Sequence, residues 1–128
     1  MRVVALDYGR ARTGMAVSDP SGTVVRPLGV VARVRTPQGM DELVAAIEEQ
    51  HPDRVVVGLP LTLRGEHGRQ AQETLAFVRE LEARVDVEIE TYDERFTTAM
   101  ADRSGSSHAR DAVAAAHLLE GYLQRLAG

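Results

Sequence analysis

The sequence contains no cysteine, no lysine and no tryptophan, and it has only two phenylalanines and three tyrosines. Without cysteine, the chain cannot form a disulfide, a thiolate metal site or a thiol nucleophile. No apolar run approaches the roughly 20 residues that a membrane span requires, and the first residues read as a strand rather than a signal peptide. We therefore expect a cytoplasmic protein with no membrane partner.

The charge balance limits the partners in a similar way. The formal net charge is −4, whereas domains that bind nucleic acid usually carry a basic surplus. All 15 basic residues are arginine, however, and arginine is the better bidentate binder of phosphate. Because aromatic residues are scarce, a nucleic-acid partner would be recognised by its backbone and shape rather than by base stacking. The length of 128 residues predicts a single domain over residues 1–128.

Hydrophobic periodicity predicts an α/β fold. The predicted strands span residues 2–8, 13–18, 23–35, 54–59 and 86–92, and the predicted helices span about 37–51, 69–84 and 108–126. A further short helix begins at "DERFTTAMADR", and "SGSSHAR" is predicted to be a linker. The order βββαβαβα favours one mixed five-stranded sheet flanked by helices, with parallel crossovers in its second half.

The stretch "VVALDYGRARTGMAVSD" places a carboxylate, Asp7, at the end of an apolar strand. A buried carboxylate without a partner costs several kcal/mol, so this position needs an explanation. One interpretation is an ion pair with Arg10 or Arg12 near the strand end. The other is a site for Mg²⁺ or Mn²⁺, which prefer oxygen ligands.

Further acids are expected at the same edge of the sheet, because sites in open α/β sheets form at the carboxyl ends of the strands. Asp93 and Glu94 come at the end of the fifth strand, and Asp111 lies in the first turn of the last helix. Strict alternation puts Asp93 on the apolar face of its strand and Glu94 on the face predicted to be exposed. Alternation by itself therefore favours Asp93 as the inward ligand.

Four ordered motifs resemble those of the YqgF/RuvX family, whose members are described as Holliday-junction resolvases or pre-16S rRNA nucleases. They are "LDYGRARTGMAVSD", "VVVGLPLTLRGEHG", "YDERFTT" and "RDAVAAAHLLEGYL", and the resemblance covers roughly residues 2 to 125. It implies a ribonuclease H-like fold and a metal-dependent phosphodiesterase. It also implies one or two Mg²⁺ or Mn²⁺ ions held by Asp7, Glu94 and Asp111, with Asp93 in reserve to Glu94.

Arginines near these acids are candidates for holding nucleic-acid phosphates. The predicted nucleic-acid-binding residues are Arg10, Arg12, Arg64, Arg69, Arg95 and Arg110. His67, in a glycine-flanked loop, is a weaker candidate for a general base. The segment "MADRSGSSHAR" is shorter and less basic than the corresponding family segment, which puts substrate affinity in question rather than the fold.

Two other functions fit parts of the sequence. The pattern "DYGRARTG" also resembles the phosphate loop of actin-like ATPases and sugar kinases, but 128 residues leave no room for the second domain that closes over ATP. The net charge keeps open a catalytically weak module for nucleic-acid binding or assembly. For a nuclease, a four-way DNA junction predicts a two-fold homodimer, whereas pre-16S rRNA does not require one.

Overall fold

The structure, a computed structural model, describes residues 1–60, 68–93 and 108–127, with the side chains of the last segment from residue 111 onward. The elements in these residues are β1 (Val3–Asp7), β2 (Arg12–Ser18), β3 (Val25–Ala32), α1 (Pro37–Gln50), β4 (Arg54–Leu59), α2 (Arg69–Glu82), β5 (Glu88–Asp93) and α3 (His108–Ala127). Their order confirms the predicted βββαβαβα. The short helix and the linker predicted between β5 and α3 lie outside the described residues.

The strands form one five-stranded sheet in the order β3-β2-β1-β4-β5. The pairs β1/β2 and β2/β3 are antiparallel, whereas β1/β4 and β4/β5 are parallel, which confirms the predicted mixed sheet. The central strand β1 is covered on both faces, and residues 3–6 are fully buried. This double coverage explains why both parities of β1 are apolar.

The sheet separates two hydrophobic cores. On one face, Leu6 and its neighbours pack against α1 and α2, with Leu43, Ile47, Phe77 and Leu81 fully or almost fully buried. On the other face, Val3 and Ala5 pack against α3, where Ala115, Leu118, Leu119 and Tyr122 are buried. Odd-numbered residues of β1 therefore face α3, and even-numbered residues face α1 and α2.

The third strand is shorter than the predicted span of residues 23–35. It begins at Val25, shifts register opposite Met15 and Ala16, and contains Gly29 at a φ of 138°. Such irregularities are typical of an edge strand. Beyond it, Arg33 adopts a left-handed φ of 46°, and the chain turns into α1.

The helices follow the sequence signals closely. Thr36 caps α1 by accepting a hydrogen bond from the Gly39 amide at 3.1 Å, and proline follows it, as the pattern predicts. The small residues of α3 let it pack closely over β1 and β2. No helix in the described part of the chain has the length and apolar character needed to cross a bilayer.

Candidate active site

Asp7 is the last residue of β1, and its place in the strand alternation puts it on the face covered by α3. It is half-buried, unlike the four fully buried residues before it. Its partner across the antiparallel β1/β2 pair is Gly14. Residues paired in this way have Cα atoms about 4.5–5.5 Å apart, so Gly14 lies directly beside Asp7 on the same face.

Gly14 brings the start of α3 to this position. A Cβ atom added at Gly14 would overlap the backbone carbonyl group of Asp111 and crowd the amide of Ala112. Only glycine lets the helix backbone approach the strand this closely. Two acidic residues that the sequence places 104 positions apart, Asp7 and Asp111, therefore both have their backbones next to one glycine.

Arg12 fixes the Asp111 carboxylate. Its Nε donates a hydrogen bond to Oδ2 of Asp111 at 2.7 Å, and the two side chains are only 25% and 19% exposed. Arg12 shares the face of Gly14 because the two residues are two positions apart on β2. A partly buried, charge-assisted pair of this kind orients the carboxylate as well as stabilising the fold. The arrangement joins Asp7, Gly14, Arg12 and Asp111 at one end of the sheet.

The fifth strand presents a different face from the one predicted. Glu90 pairs with Val56, and Tyr92 packs with the core under α3, so the even-numbered residues of β5 share Asp7's face. The prediction that this face is exposed differs from the structure because α3 covers it. Asp93 is an even number of positions from Ile89 and so shares its face, which packs on the core under α1 and α2. Alternation therefore no longer favours Asp93, and Glu94 lies outside the described residues.

The remaining predicted arginines are distributed unevenly. Arg10 turns to the other side of the sheet, where its Nη2 donates to Oε1 of Glu73 on α2 at 2.8 Å. Arg69 is exposed at the start of α2. Arg64, His67 and Arg95 lie outside the described residues, and for Arg110 only the helical backbone is described. Their roles stay predictions.

Sequence reasoning missed Tyr8 and its neighbours. Tyr8 is buried and stacks on Phe77 with ring centroids 4.7 Å apart. Burial and then the charge of Glu73 raise the pKa of the Tyr8 hydroxyl, whereas hydrogen bonding from Arg10 lowers the pKa of Glu73. The position of Tyr8 in the strand alternation was a sequence signal for its face, since the residue after Asp7 must point to the opposite side of the sheet. No local pattern identified Glu73 as its partner.

Gly14 was also missed, although a signal was present. A glycine inside a strand often marks a close backbone approach, and Gly14 lies inside β2, directly before its apolar run. Which distant element makes the approach is not encoded in that run.

The residues brought together fit a hard cation. Asp7 and Asp111 offer carboxylate oxygens, the ligands that Mg²⁺ and Mn²⁺ prefer. Within residues 1–60, 68–93 and 108–127, no group of three His, Asp or Glu side chains is gathered closely enough to hold a metal. The third ligand that the motif implies, Glu94, is not among these residues. Only Asp7 and Asp111 can therefore be compared with the ligand set that the motif implies.

Comparison with known proteins places this geometry in a family. A family model named RuvX, with the description "Holliday junction resolvase", matches residues 1–125. A protein of Desulforamulus reducens named "Putative pre-16S rRNA nuclease" is 34% identical over 132 residues, which covers 96% of each chain. A Moorella thermoacetica protein of the same name is 36% identical and covers 98% of this chain and 96% of its own.

Solved structures agree on the fold. RuvC of T. thermophilus in complex with a Holliday junction substrate superposes with a TM-score of 0.59 at 19% identity, over 98% of this chain and 96% of that one. The fowlpox virus resolvase in complex with Holliday junction DNA gives a TM-score of 0.57 at 12% identity, over 98% and 99%. These likenesses confirm the ribonuclease H-like fold. Together with the match over nearly the full length, they confirm the resemblance that the four motifs indicated, and the chain belongs to the RuvX family.

Proposed function

We propose that this protein is a divalent-metal-dependent endonuclease that hydrolyses phosphodiester bonds in structured nucleic acid. Asp7, Glu94 and Asp111 are the proposed metal ligands, and Mg²⁺ or Mn²⁺ is the proposed ion. The observation that carries the proposal is the close approach of α3 to Gly14, because it sets the Asp111 backbone beside the strand position that faces Asp7. Family membership supports the same reaction class.

The chain's own residues have separate roles in this proposal. When bound by such carboxylates, a divalent ion supplies a water of lowered pKa and Lewis acidity at the scissile phosphate. Asp7 follows four fully buried residues of β1, which fix the position of its backbone. Asp111 is held by Nε of Arg12, and a guanidinium has further N–H donors that can bind a phosphate oxygen.

The substrate class has two sources of support. The family description names Holliday junctions, and the relatives named above carry a pre-16S rRNA name. The two substrates make different demands on assembly. A resolvase cuts two symmetric strands and would act as a two-fold homodimer, whereas an enzyme that trims the rRNA 5′ end has one strand to cut.

A titration with Mn²⁺ tests the metal site. The wild-type protein should bind Mn²⁺ in isothermal titration calorimetry, and Asp7→Asn or Asp111→Asn should weaken this binding by about 100-fold or more. Asp86→Asn, which neutralises an exposed acid on the approach to β5, is the matched control and should leave binding unchanged. Equal binding by all four proteins would make Asp7 a structural residue and leave a nucleic-acid-binding or assembly module as the function.

A side-by-side cleavage assay tests the substrate. The protein is incubated with Mn²⁺ or Mg²⁺ and either a four-way DNA junction, a linear duplex or a pre-16S 5′ leader. Symmetric nicks near the junction centre, accompanied by dimers in sedimentation, would assign junction resolution. Cleavage confined to the leader would assign rRNA processing. Absence of cleavage of all three would contradict the nuclease proposal.

A further inference from the structure

A groove lies on the α1 and α2 side of the sheet, opposite the face that carries Asp7. It consists of two adjoining cavities of about 570 Å³ and about 380 Å³, which share Tyr8, Arg10 and Glu73 in their walls. We call it the arginine groove and define it by Tyr8, Arg10, Arg33, Arg35, Arg69 and Glu73. The Arg10–Glu73 ion pair stands where the two cavities meet.

The groove carries a surplus of positive charge. Four arginines line it, against the carboxylates of Glu73 and Glu80. Arg33 and Arg69 are exposed, and neither side chain makes a hydrogen bond or ion pair with any residue in the described part of the chain. Among the residues that the structure describes, two guanidinium groups therefore have no protein partner, and they stand at opposite ends of the groove.

The other two arginines are oriented by glutamates without being covered. Arg10 donates from Nε and Nη2 to Glu73 and is still 79% exposed. Arg35 donates from Nε and Nη2 to Glu80, at 3.0 Å and 2.7 Å. A guanidinium has five N–H donors, so for Arg10 these contacts leave the Nη1 edge for an acceptor such as a phosphate oxygen.

The floor and one end of the groove favour the binding of a negatively charged nucleic-acid backbone over the stacking of a base. Tyr8 is 8% exposed and stacks on Phe77, so its ring is not available for base stacking. At the other end, α2 begins after Gly68, which provides no side-chain cap, and no acid lies in the first turn. The positive end of this helix dipole reinforces the charge of Arg69.

The groove starts where the candidate active site ends. Tyr8 and Asp7 are consecutive residues on opposite faces, and the residues from Gly9 to Ala11 connect the two faces around the end of the sheet. We propose that the arginine groove binds the sugar-phosphate backbone of a single-stranded segment of the substrate as it leaves the active site. Cavities of this volume accept a ligand of drug-like size, which suits a short single-stranded segment lying along a positively charged groove.

This inference rests on the proposed function for its substrate, but its test does not depend on cleavage. The wild-type chain in EDTA is mixed with a fluorescein-labelled 12-nucleotide oligo(U), and binding is followed by fluorescence anisotropy over a series of KCl concentrations. The test variant is Arg33→Asn with Arg69→Gln, because asparagine tolerates the left-handed backbone of residue 33. The control is Arg26→Gln with Arg79→Gln, which removes the same charge from exposed positions.

The control positions lie away from the groove. Arg26 is near the other end of β3 from Arg33, about 20 Å along the strand, and Arg79 is about 15 Å along α2 from Arg69. The groove variant should weaken binding about tenfold and reduce the slope of log K against log [KCl] by about 1.4, since each phosphate contact to a single strand contributes about 0.7. The control should change binding less than about twofold.

Several results would overturn the groove assignment. They are equal losses in both double variants, no loss in the groove variant, no binding of the probe by the wild-type chain, or equal competition by a 12-base-pair duplex. The melting temperatures of both double variants are measured so that a loss of binding is assigned only to folded protein. If the groove variant loses binding but the wild-type chain does not cleave with Mn²⁺, the nuclease proposal fails and the groove stands. If the wild-type chain and the groove variant both cleave with the same KM, the groove assignment fails and the nuclease proposal stands.

Discussion

The Nε atom of Arg12 lies 2.7 Å from Oδ2 of Asp111, and 99 positions of sequence separate the two residues. The contact ties the first hairpin to the first turn of the last helix. Because both side chains are mostly buried, the pair fixes the carboxylate in one orientation. It also means that a cation binding to Asp111 must share that carboxylate with a guanidinium.

Replacing Arg12 by glutamine should therefore have opposite effects on stability and on metal binding. Loss of the ion pair should lower the free energy of unfolding by about 1–2 kcal/mol, as measured by urea denaturation. Loss of the neighbouring positive charge should strengthen Mn²⁺ binding by about 1 kcal/mol, or about fivefold in calorimetry. Arg35→Gln, which breaks an exposed pair with Glu80, is the control and should leave Mn²⁺ affinity unchanged. Weaker Mn²⁺ binding in Arg12→Gln would contradict this account.

Replacing Gly14 by alanine should separate α3 from the sheet. The added methyl group would overlap the Asp111 backbone, which cannot rotate away as a side chain can, so we expect a loss of at least about 3 kcal/mol in the free energy of unfolding. Mn²⁺ binding should be lost as well. Gly121→Ala is the control, because its methyl group meets only the tip of the Tyr92 side chain at 3.3 Å and alanine favours the helix. Equal stability of the two variants would show that Gly14 does not set the position of α3.

The Arg10–Glu73 pair predicts part of the acid sensitivity. Hydrogen bonding from Arg10 lowers the pKa of Glu73 below its ordinary value of 4.5, so the pair stabilises the folded state fully above that value. This contribution is lost as the pH falls through the lowered folded-state pKa. Arg10→Gln should therefore reduce stability near neutral pH and flatten the decline between about pH 5 and about pH 3. Arg79→Gln, which removes an exposed arginine elsewhere on the helix that carries Glu73, should leave the steepness of the decline unchanged in urea denaturation at each pH.

The Tyr122 hydroxyl should stabilise the end of the sheet away from the active site. It donates to Oε1 of Glu90 at 2.6 Å and accepts from Nη1 of Arg54 at 2.7 Å, and Tyr122 is only 3% exposed. Tyr122→Phe should cost about 1–3 kcal/mol because it removes two hydrogen bonds to charged, partly buried groups, although Arg54 and Glu90 keep their own ion pair. Tyr92→Phe is the control, since the Tyr92 hydroxyl makes no hydrogen bond with the residues that the structure describes. A cost within about 0.5 kcal/mol of that control would contradict the network.

Much of the fold could be predicted because the signals are local. Apolar residues at both parities of β1 require cover on both faces, and the N-terminal signals at Thr36 and Pro37 mark the start of α1 as observed. The order of hairpins and crossovers then predicts one mixed five-stranded sheet, as observed, whereas the strand order β3-β2-β1-β4-β5 comes from the structure. The end of β3 was misplaced because an edge strand is held on one side only, and its pairing stops at Ala32, just before the left-handed Arg33, which is earlier than its composition suggests.

The candidate site was predictable only in part. The sequence indicated Asp7 and Asp111, but it assigned the inward face of β5 to the Ile89 parity because the cover provided by α3 is not visible locally. It also grouped Arg10 with Arg12, although the two arginines turn to opposite faces and bind Glu73 and Asp111. Parity along a strand gives the face of a side chain but does not identify the element that covers that face.

The sequence by itself determined the elements, their order and the placement of a carboxylate at the end of the central strand, because backbone periodicity and capping act over a few residues. The tertiary structure decided that Gly14 receives the Asp111 backbone, that Arg12 binds this acid, and that Tyr8 opens a separate groove on the far side. These contacts join residues far apart in the chain, and they form only when the two faces of one sheet are covered by different helices.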